Sequence, residues 1–433
     1  MREIEAFCEK WGMLPREGLV LCAVSGGRDS MALLHWLWRA GERCGFSVAA
    51  AHFNHRLRAS AQRDEDIVRS WCIERKIPCY VGGADVAQWS LERGVSQEIG
   101  ARTLRYAYLE KLADELGAVR IATAHHRQDN AETVLLNLLR GTGLQGLTGI
   151  PPVRGRIVRP LLETDRSEIE RYIEEHHIPY GEDETNHDPA YTGRNRLRLD
   201  VLPVLEEIQP GCTGRIARMT ASLREENDCL QRQAEALLEK SPVENGCIGI
   251  SAELLKKQER AVARRIIRTM ARRLDGELSS VHVDAVLALD SGKCVDLPGD
   301  LRAVCRRRRL TLERRIAAPA AIVLRSGEQI WGNYRVCLSR KETEGLRLAA
   351  DRIDGPLMIG PWDGTGRLTV ENGSRTIKRL FADRGIPVER REEYPALYLA
   401  GRVIAVFGVA VDLQVQPAEG DAVLTVSLEK VCT

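Results

Sequence analysis

The chain has 433 residues, 44% of them apolar and 29% charged, which excludes a peptide or a disulfide-stapled mini-domain and leaves room for about two to four domains. No run approaches the ~18 apolar residues of a membrane span. Basic residues number 63 and acidic residues 61, so no whole-molecule field selects nucleic acid or an acidic partner.

From Leu19 to about Ala124 the chain alternates short apolar runs with helical patterns. LVLCAV (19–24), SVAAAHF (47–53), IPCYVG (77–82) and VRIATA (119–124) read as strands buried on both faces, and the segments between them repeat apolar residues at helical spacing. A doubly wound, mostly parallel, Rossmann-like α/β sheet is predicted. Helical text continues over 129–140 and 164–177, and Gln209-Pro210-Gly211 closes the region. The expected catalytic domain is therefore 1–211. Residues 214–275 carry 3.6-period apolar positions and predict a mostly helical domain over 212–316, with a hairpin pattern at 295–313. After a linker at Ala317-Ala318-Pro319, short strands and one helix at 376–384 predict a small mixed α+β domain over 320–433.

The twelve cysteines show no C-x-x-C pair, so a zinc ribbon, a redox dithiol and an iron-sulfur cluster lack their spacing. The opening MREIEAFCEKWGML has no basic region followed by an apolar stretch, and a cytoplasmic location with free thiols is expected. Arginine supplies 53 of the 63 basic residues, a bias toward the planar donor that grips phosphates bidentately. Genome composition gives the same bias.

SGGRDS, Ser25 to Ser30, directly follows the first strand and precedes a helix expected near Met31. Its two glycines let backbone N–H groups turn inward, and the helix adds its positive end, so a pyrophosphate is favoured there. No Lys follows the glycines, which excludes a Walker A loop. Asp29 beside phosphates is costly unless Mg²⁺ neutralises it, so Asp29 is the expected metal ligand. His52, Asn54, His55 and Arg58 follow the second strand at its carboxyl end, where open α/β sheets bind ligands. Loop structure and helix capping account for the two histidines equally well. Asp129 and Glu132, three apart on a helix, project from one side. A bound cation explains them, and so does satisfaction of the helix dipole.

SGGRDS resembles the loop of the N-type ATP pyrophosphatases (the PP-loop family). Its companions are AHFNHRLR (51–58), QEIGARTLRYAYL (97–109), IATAHHRQDNAETVLLNLLRGTGLQGLTGI (121–150), RPLLETDRSEIERYI (159–173), RNRLRLDVLPVLE (194–206) and IKRLFADRGIPVERREEYPALY (377–398). Together and in this order they resemble the bacterial tRNA(Ile)-lysidine synthetases over nearly the whole chain. The resemblance implies adenylation of O2 of the wobble cytidine in a CAU anticodon by ATP, then displacement of AMP by the ε-amine of free L-lysine. It implies ATP contacts at Ser25, Gly26, Gly27, Arg28, Asp29 and Ser30, and catalytic roles for Asp29, Arg105, Asp129 and Glu132. It adds His125, Arg194, Asn195, Arg196 and Arg198 as substrate contacts.

The chain departs from the commonest family pattern at Gln128, where an acidic residue is usual. A PP-loop tRNA thiolase and a non-catalytic RNA-binding protein are the competing readings, and the oligomeric state, with a homodimer among the options, stays open. Arginine clusters at 194–198, 260–273 and 302–315, with Lys378, Arg379, Arg384, Arg390, Arg391 and Tyr394 near the carboxyl end, are the expected RNA contacts. No acidic residue stands at i+4 within the run Arg264 to Arg273, which argues against a merely solvated face.

Overall fold

A computed structural model describes residues 2–55, 61–181, 193–244, 246–315, 319–340, 344–371, 373–386 and 388–431. Arg58 lies outside them. The chain divides into two compact units, Met1–Leu230 and Gln231–Thr433.

In the first unit the elements run α1 (Arg2–Lys10), β1 (Leu19–Ala23), α2 (Arg28–Cys44), β2 (Ser47–Asn54), α3 (Ala61–Glu74), β3 (Cys79–Gly83), α4 (Val86–Arg93) and α5 (Gln97–Leu116). They continue with β4 (Ala118–Ala122), α6 (Arg127–Leu139), α7 (Leu144–Leu147), β5 (Val153–Arg154), β6 (Ile157–Val158), α8 (Arg166–Glu175) and α9 (Gly193–Arg196). A π-helical turn at Leu197–Val201 then leads into α10 (Leu202–Ile208) and α11 (Cys212–Leu237). The sheet order is β3-β2-β1-β4-β6-β5. Every pairing is parallel except β5 with β6. The expected doubly wound fold is therefore present, and the strand order reverses at β1, whose neighbours are β2 and β4. Ligands of such sheets sit outside the carboxyl ends of the strands at that reversal.

The strand sequences explain why both faces are covered. Val20, Cys22 and Ala50 point into one core with Met31, Leu34 and Leu37 of α2, Trp71 of α3 and Ile169 of α8. Leu21, Ala49, Ala51 and Ile121 point into another with Leu109, Leu112 and Ala113 of α5. Alternate residues of the same apolar run thus feed opposite sides, so the run shows no polar alternation.

The second unit is less helical at its start than its text predicts. A strand, β7 (Cys247–Ser251), interrupts the helical region before α12 (Ala252–Lys256), α13 (Arg260–Arg273) and α14 (Ser280–Leu287). It pairs with the hairpin expected over 295–313, whose strands are β8 (Cys294–Leu297), β9 (Leu301–Arg306) and β10 (Arg309–Arg314). The antiparallel order is β7-β10-β9-β8, with Ile248 and Ile250 buried. Beyond 320 the antiparallel strands form further sheets, and the expected helix spans Ile377–Asp383.

Most arginines of the predicted clusters in this unit hold the unit itself together. Arg264 forks onto Asp284 of α14, with Nη2 2.8 Å from Oδ2 and Nε 3.0 Å from Oδ1. Arg273 donates to the Leu238 and Ser241 carbonyls, Arg314 to Leu274, and Arg309 to Gly249. Arg302 pairs with Asp296 at 2.6 Å, and Arg315 with Glu392 at 2.9 Å. Asp284 is no i+4 neighbour of Arg264 and reaches it from another helix. Near the carboxyl end, Arg391 donates to the Ile386 carbonyl and lies 5.5 Å from the centre of the Phe381 ring, and Tyr394 packs edge-on against Phe381. Both are structural in the described chain.

Candidate active site

Helix α2 begins at Arg28, three residues earlier than expected, so Asp29 and Ser30 sit in its first turn. Its leading N–H groups have no carbonyl one turn earlier to bond, which aims them at the loop. The loop is tied internally. The Ser30 hydroxyl donates to the Gly27 carbonyl at 2.8 Å and accepts from the Ser25 N–H at 3.1 Å, and the Gly27 N–H reaches the Ser25 hydroxyl at 3.3 Å. Gly26 has φ +90°, and a Cβ there would lie 2.9 Å from both Cβ and the carbonyl oxygen of Asp64. Gly26→Ala is therefore expected to displace the loop at a cost of about 1–3 kcal/mol and to raise the ATP KM at least about tenfold. Gly143→Ala, at φ −83° with open space around its Cβ, is the silent control. Equal ATP KM values for the two variants would remove the loop from the phosphate site.

A cavity of about 430 Å³ opens at the carboxyl ends of β1, β2 and β4. Ser25, Asp29 and Ser30 line one side, His52, Asn54 and His55 another, and His125, His126 and Asp129 a third. Arg105, Arg194 and Arg198 complete it, together with Asp64, Arg102 and Thr123. The predicted residues of five separate segments thus meet at one place.

Besides Glu132, three predicted side chains stand outside the cavity lining. Arg28 pairs with Glu170 and lies over the Tyr180 ring, Arg196 is exposed beside Asp200, and Asn195 is buried outside the cavity lining.

Asp129 and Glu132 do not share one setting, although their spacing puts them on one side of α6. Asp129 faces the cavity and accepts from the His126 N–H at 3.0 Å. Glu132 is wholly buried and stands outside the lining. Arg198 forks onto it, Nε to Oε1 at 2.7 Å and Nη2 to Oε2 at 3.2 Å, and also donates to Asp129 at 3.1 Å. Arg194 lies 3.3 Å from Glu132 and donates to Thr133 at 2.8 Å. The expected pair of carboxylates offered together to a cation is one carboxylate at the surface and one beneath it that holds two arginines.

The sequence reading missed His126. It caps α6, its Nδ1 accepting the Gln128 N–H at 3.2 Å, which leaves the ring proton of the neutral form on Nε2. That Nε2 stands 3.7 Å from Asp29 and 3.6 Å from Asp129, between the carboxylates of the two opposed loops. Asp64 and Arg102 were missed too. Arg102 could have been found from its place three residues before Arg105 on α5, which puts both on one helical face.

Burial, with Asp129 adding to it, lifts Asp29 above the usual carboxylate range against the pull of His126, Arg166 and Arg28. Burial would also lift Asp129, yet His126, His125, the His126 N–H and Arg198 outweigh it and bring that group down to about 2. The two carboxylates are thus pushed apart by their surroundings, a mark of functional sites. Burial lowers His125 to about 3, opposed by Asp129 and reinforced by Arg159, so its ring is neutral, with Nδ1 3.0 Å from the Thr123 hydroxyl. Burial also lowers His52, whose Nδ1 is held 3.0 Å from the Val24 carbonyl. Its Nε2 is left as an acceptor.

Comparison with known proteins agrees with this geometry. The PP-loop domain family matches residues 1–205, and the TilS substrate C-terminal domain family matches residues 359–428. A tRNA(Ile)-lysidine synthase of Caldanaerobacter subterraneus subsp. tengcongensis is 30% identical over 427 residues, covering 92% of this chain and 91% of that protein. Its namesake from Geobacter sulfurreducens is 30% identical over 444 residues, covering 94% and 92%. The one from Clostridioides difficile is 29% identical over 426 residues, covering 92% of each. With both ends of the chain matched in order and the cavity built by the loops that carry the shared motifs, the chain belongs to the tRNA(Ile)-lysidine synthase family.

Proposed function

We propose that the protein is a tRNA(Ile)-lysidine synthase, a carbon–nitrogen ligase that uses ATP and L-lysine to convert the wobble cytidine, position 34 of the CAU anticodon of tRNA(Ile), to lysidine. O2 of the cytosine attacks the α-phosphorus of ATP, and the bond to the β-phosphate oxygen breaks to release pyrophosphate. The ε-nitrogen of lysine then attacks C2, the C2–O bond breaks to release AMP, and the nitrogen loses its surplus protons to solvent. The observation that carries this reading is the apposition, across one cavity, of the SGGRDS loop and the start of α6, with His126 Nε2 between Asp29 and Asp129.

The residues have separable tasks. The Ser25–Ser30 loop and the first turn of α2 seat the phosphates. Arg194 and Arg198 set guanidinium groups where charge develops on the transferring phosphoryl group, and Arg105 stands on the side of the cavity where the RNA enters. His52 and Asn54 stand where the base enters, and Asp129, kept ionised, accepts a hydrogen bond from the lysine ammonium. Among the described residues no three metal-ligating side chains gather to cage an ion. Mg²⁺ needs only one or two carboxylates beside substrate phosphates, and Asp29, in the first turn of α2, supplies one. When bound, Mg²⁺ supplies positive charge against the phosphate oxygens.

Among the described residues no cysteine lines the cavity, so the thiolase reading lacks a sulfur carrier among them. No helix among the described residues is long and apolar enough to cross a membrane. Incubating the protein with bulk bacterial tRNA, ATP and labelled lysine is expected to place label in a CAU anticodon with one AMP formed per lysine. AMP release with no label in RNA, or entry of sulfur in place of lysine, would overturn the reading.

A further inference from the structure

Beside the cavity four arginines gather with no acid among them in the described residues, two of them, Arg102 and Arg105, in the cavity lining. Both belong to α5, and Tyr106 follows them in the chain. The guanidinium carbons of Arg102, Arg105 and Arg154 lie 5.1, 5.4 and 5.4 Å from the centre of the Tyr106 ring. Arg159, only 2% exposed, gives Nη1 to the Pro151 carbonyl at 2.6 Å, while its Nε is buried with no hydrogen-bond partner. Among the described residues, none of these four meets a carboxylate. Arg198 and Arg194, by contrast, meet the Glu132 carboxylate.

The local potential registers on the groups present. Burial would raise the Tyr106 phenol, yet Arg102, Arg105 and Arg159 bring it below its ordinary value. Burial, joined by neighbouring guanidinium groups, lowers Arg105 and Arg159. Four like charges gathered around one ring, one of them with a buried unused donor, are costly unless an anion completes them.

We propose that Arg102, Arg105, Arg154 and Arg159 form, around Tyr106, a subsite for one backbone phosphodiester of the substrate RNA, beside the nucleotide that enters the cavity. The inference rests on the functional reading above. The sheet order favours RNA over the triphosphate as the source of the phosphate. Arg154 belongs to β5, three strands from β1 in the order β1-β4-β6-β5. At ~4.8 Å per strand that is about 14 Å from the strand whose loop seats ATP. A nucleotide chain passing the cavity spans that distance, while a triphosphate held on the β1 loop occupies the other end. Arginine forks suit this task because two donors can meet two phosphate oxygens at once.

The test is equilibrium binding of a tRNA(Ile) transcript by filter retention at several salt concentrations, with ATP affinity measured separately. Arg154→Gln changes an exposed side chain and Arg102→Gln one at the cavity edge, and thermal unfolding verifies that each variant is folded. Each is expected to weaken RNA binding about tenfold at 0.15 M salt and to make the log–log salt slope shallower by ~0.7 to 0.9. Arg154→Lys should keep the slope, and ATP affinity should stay within about twofold. Unchanged RNA affinity and slope in both glutamine variants overturn the subsite. Weakened ATP binding with an unaltered RNA slope assigns the cluster to the triphosphate and overturns it equally. Because binding is read without turnover, a wild-type protein that binds the transcript but incorporates no lysine counts against the functional reading and not against the subsite.

Discussion

Asp29→Asn is expected to abolish AMP formation with tRNA, lysine and ATP present, lowering turnover by about 10³-fold or more, while the variant unfolds at a higher temperature than the wild type at pH 7. The catalytic half follows from position. Asp29 lines the cavity in the first turn of α2, 3.7 Å from His126 Nε2, and loss of a metal-mediated charge at a transferring phosphoryl group costs several kcal/mol, where ~1.4 kcal/mol is tenfold in rate.

The stability half follows from burial, which lifts the folded carboxyl above its unfolded value. Between those two values the folded state binds more protons than the unfolded state, so stability falls as pH rises through that window. At neutral pH the native carboxylate therefore sits at a cost that a neutral amide avoids. The difference in melting temperature between variant and wild type should shrink as pH drops through the folded value and vanish below the unfolded one. A variant less stable than wild type at pH 7, with activity lost only in proportion to folded protein, would make Asp29 a structural residue.

The parts of this architecture that could be read from the sequence are those whose physics is local. Of the predicted strands, β1, β2 and β4 could be read because their apolar residues feed cores on both sides of the sheet, whereas β3, at the sheet edge, is not buried on both faces as its text predicts, with Tyr80 and Gly83 exposed. SGGRDS could be read because the strand, the two glycines and the helix that make a phosphate seat are consecutive.

What stayed hidden depends on partners far along the chain. Strand β7 has a glycine at its centre, and its register partner for Ile250 is Leu310, on a strand 60 residues later. The basic face of α13 looked unpaired because Asp284 lies 20 residues from Arg264. His126 looked like one of two adjacent histidines until α6 formed and made it the cap, with its free nitrogen turned into the cleft. Glu132 is the sharpest case. Helical spacing correctly put it beside Asp129, but its fate was decided by Arg198, 66 residues away.

That distant partner determines what Glu132 does, and a double-mutant cycle can measure it. Glu132→Gln keeps the side chain's size and removes the charge that receives the Arg198 fork. A charge-assisted hydrogen bond of this kind is worth about 1.5–3 kcal/mol, roughly 10- to 150-fold in the rate or affinity it supports. Because Glu132 is wholly buried beneath the arginines and does not line the cavity, its effect must pass through them. Arg198→Gln removes the same fork together with a guanidinium that lines the cavity, so it is expected to lose at least as much activity as Glu132→Gln, and the double variant to be little worse than Arg198→Gln alone, with an interaction energy close to the Glu132→Gln loss.

The lysine KM adds an independent reading. With Arg198 already replaced, the further change Glu132→Gln should leave the lysine KM unaltered. Asp129→Asn, which removes the carboxylate facing the cavity, should raise it in either background. Additive losses for Glu132 and Arg198, together with a lysine KM that rises on Glu132→Gln alone or in the Arg198→Gln background, would mean that Glu132 reaches the substrate amine itself.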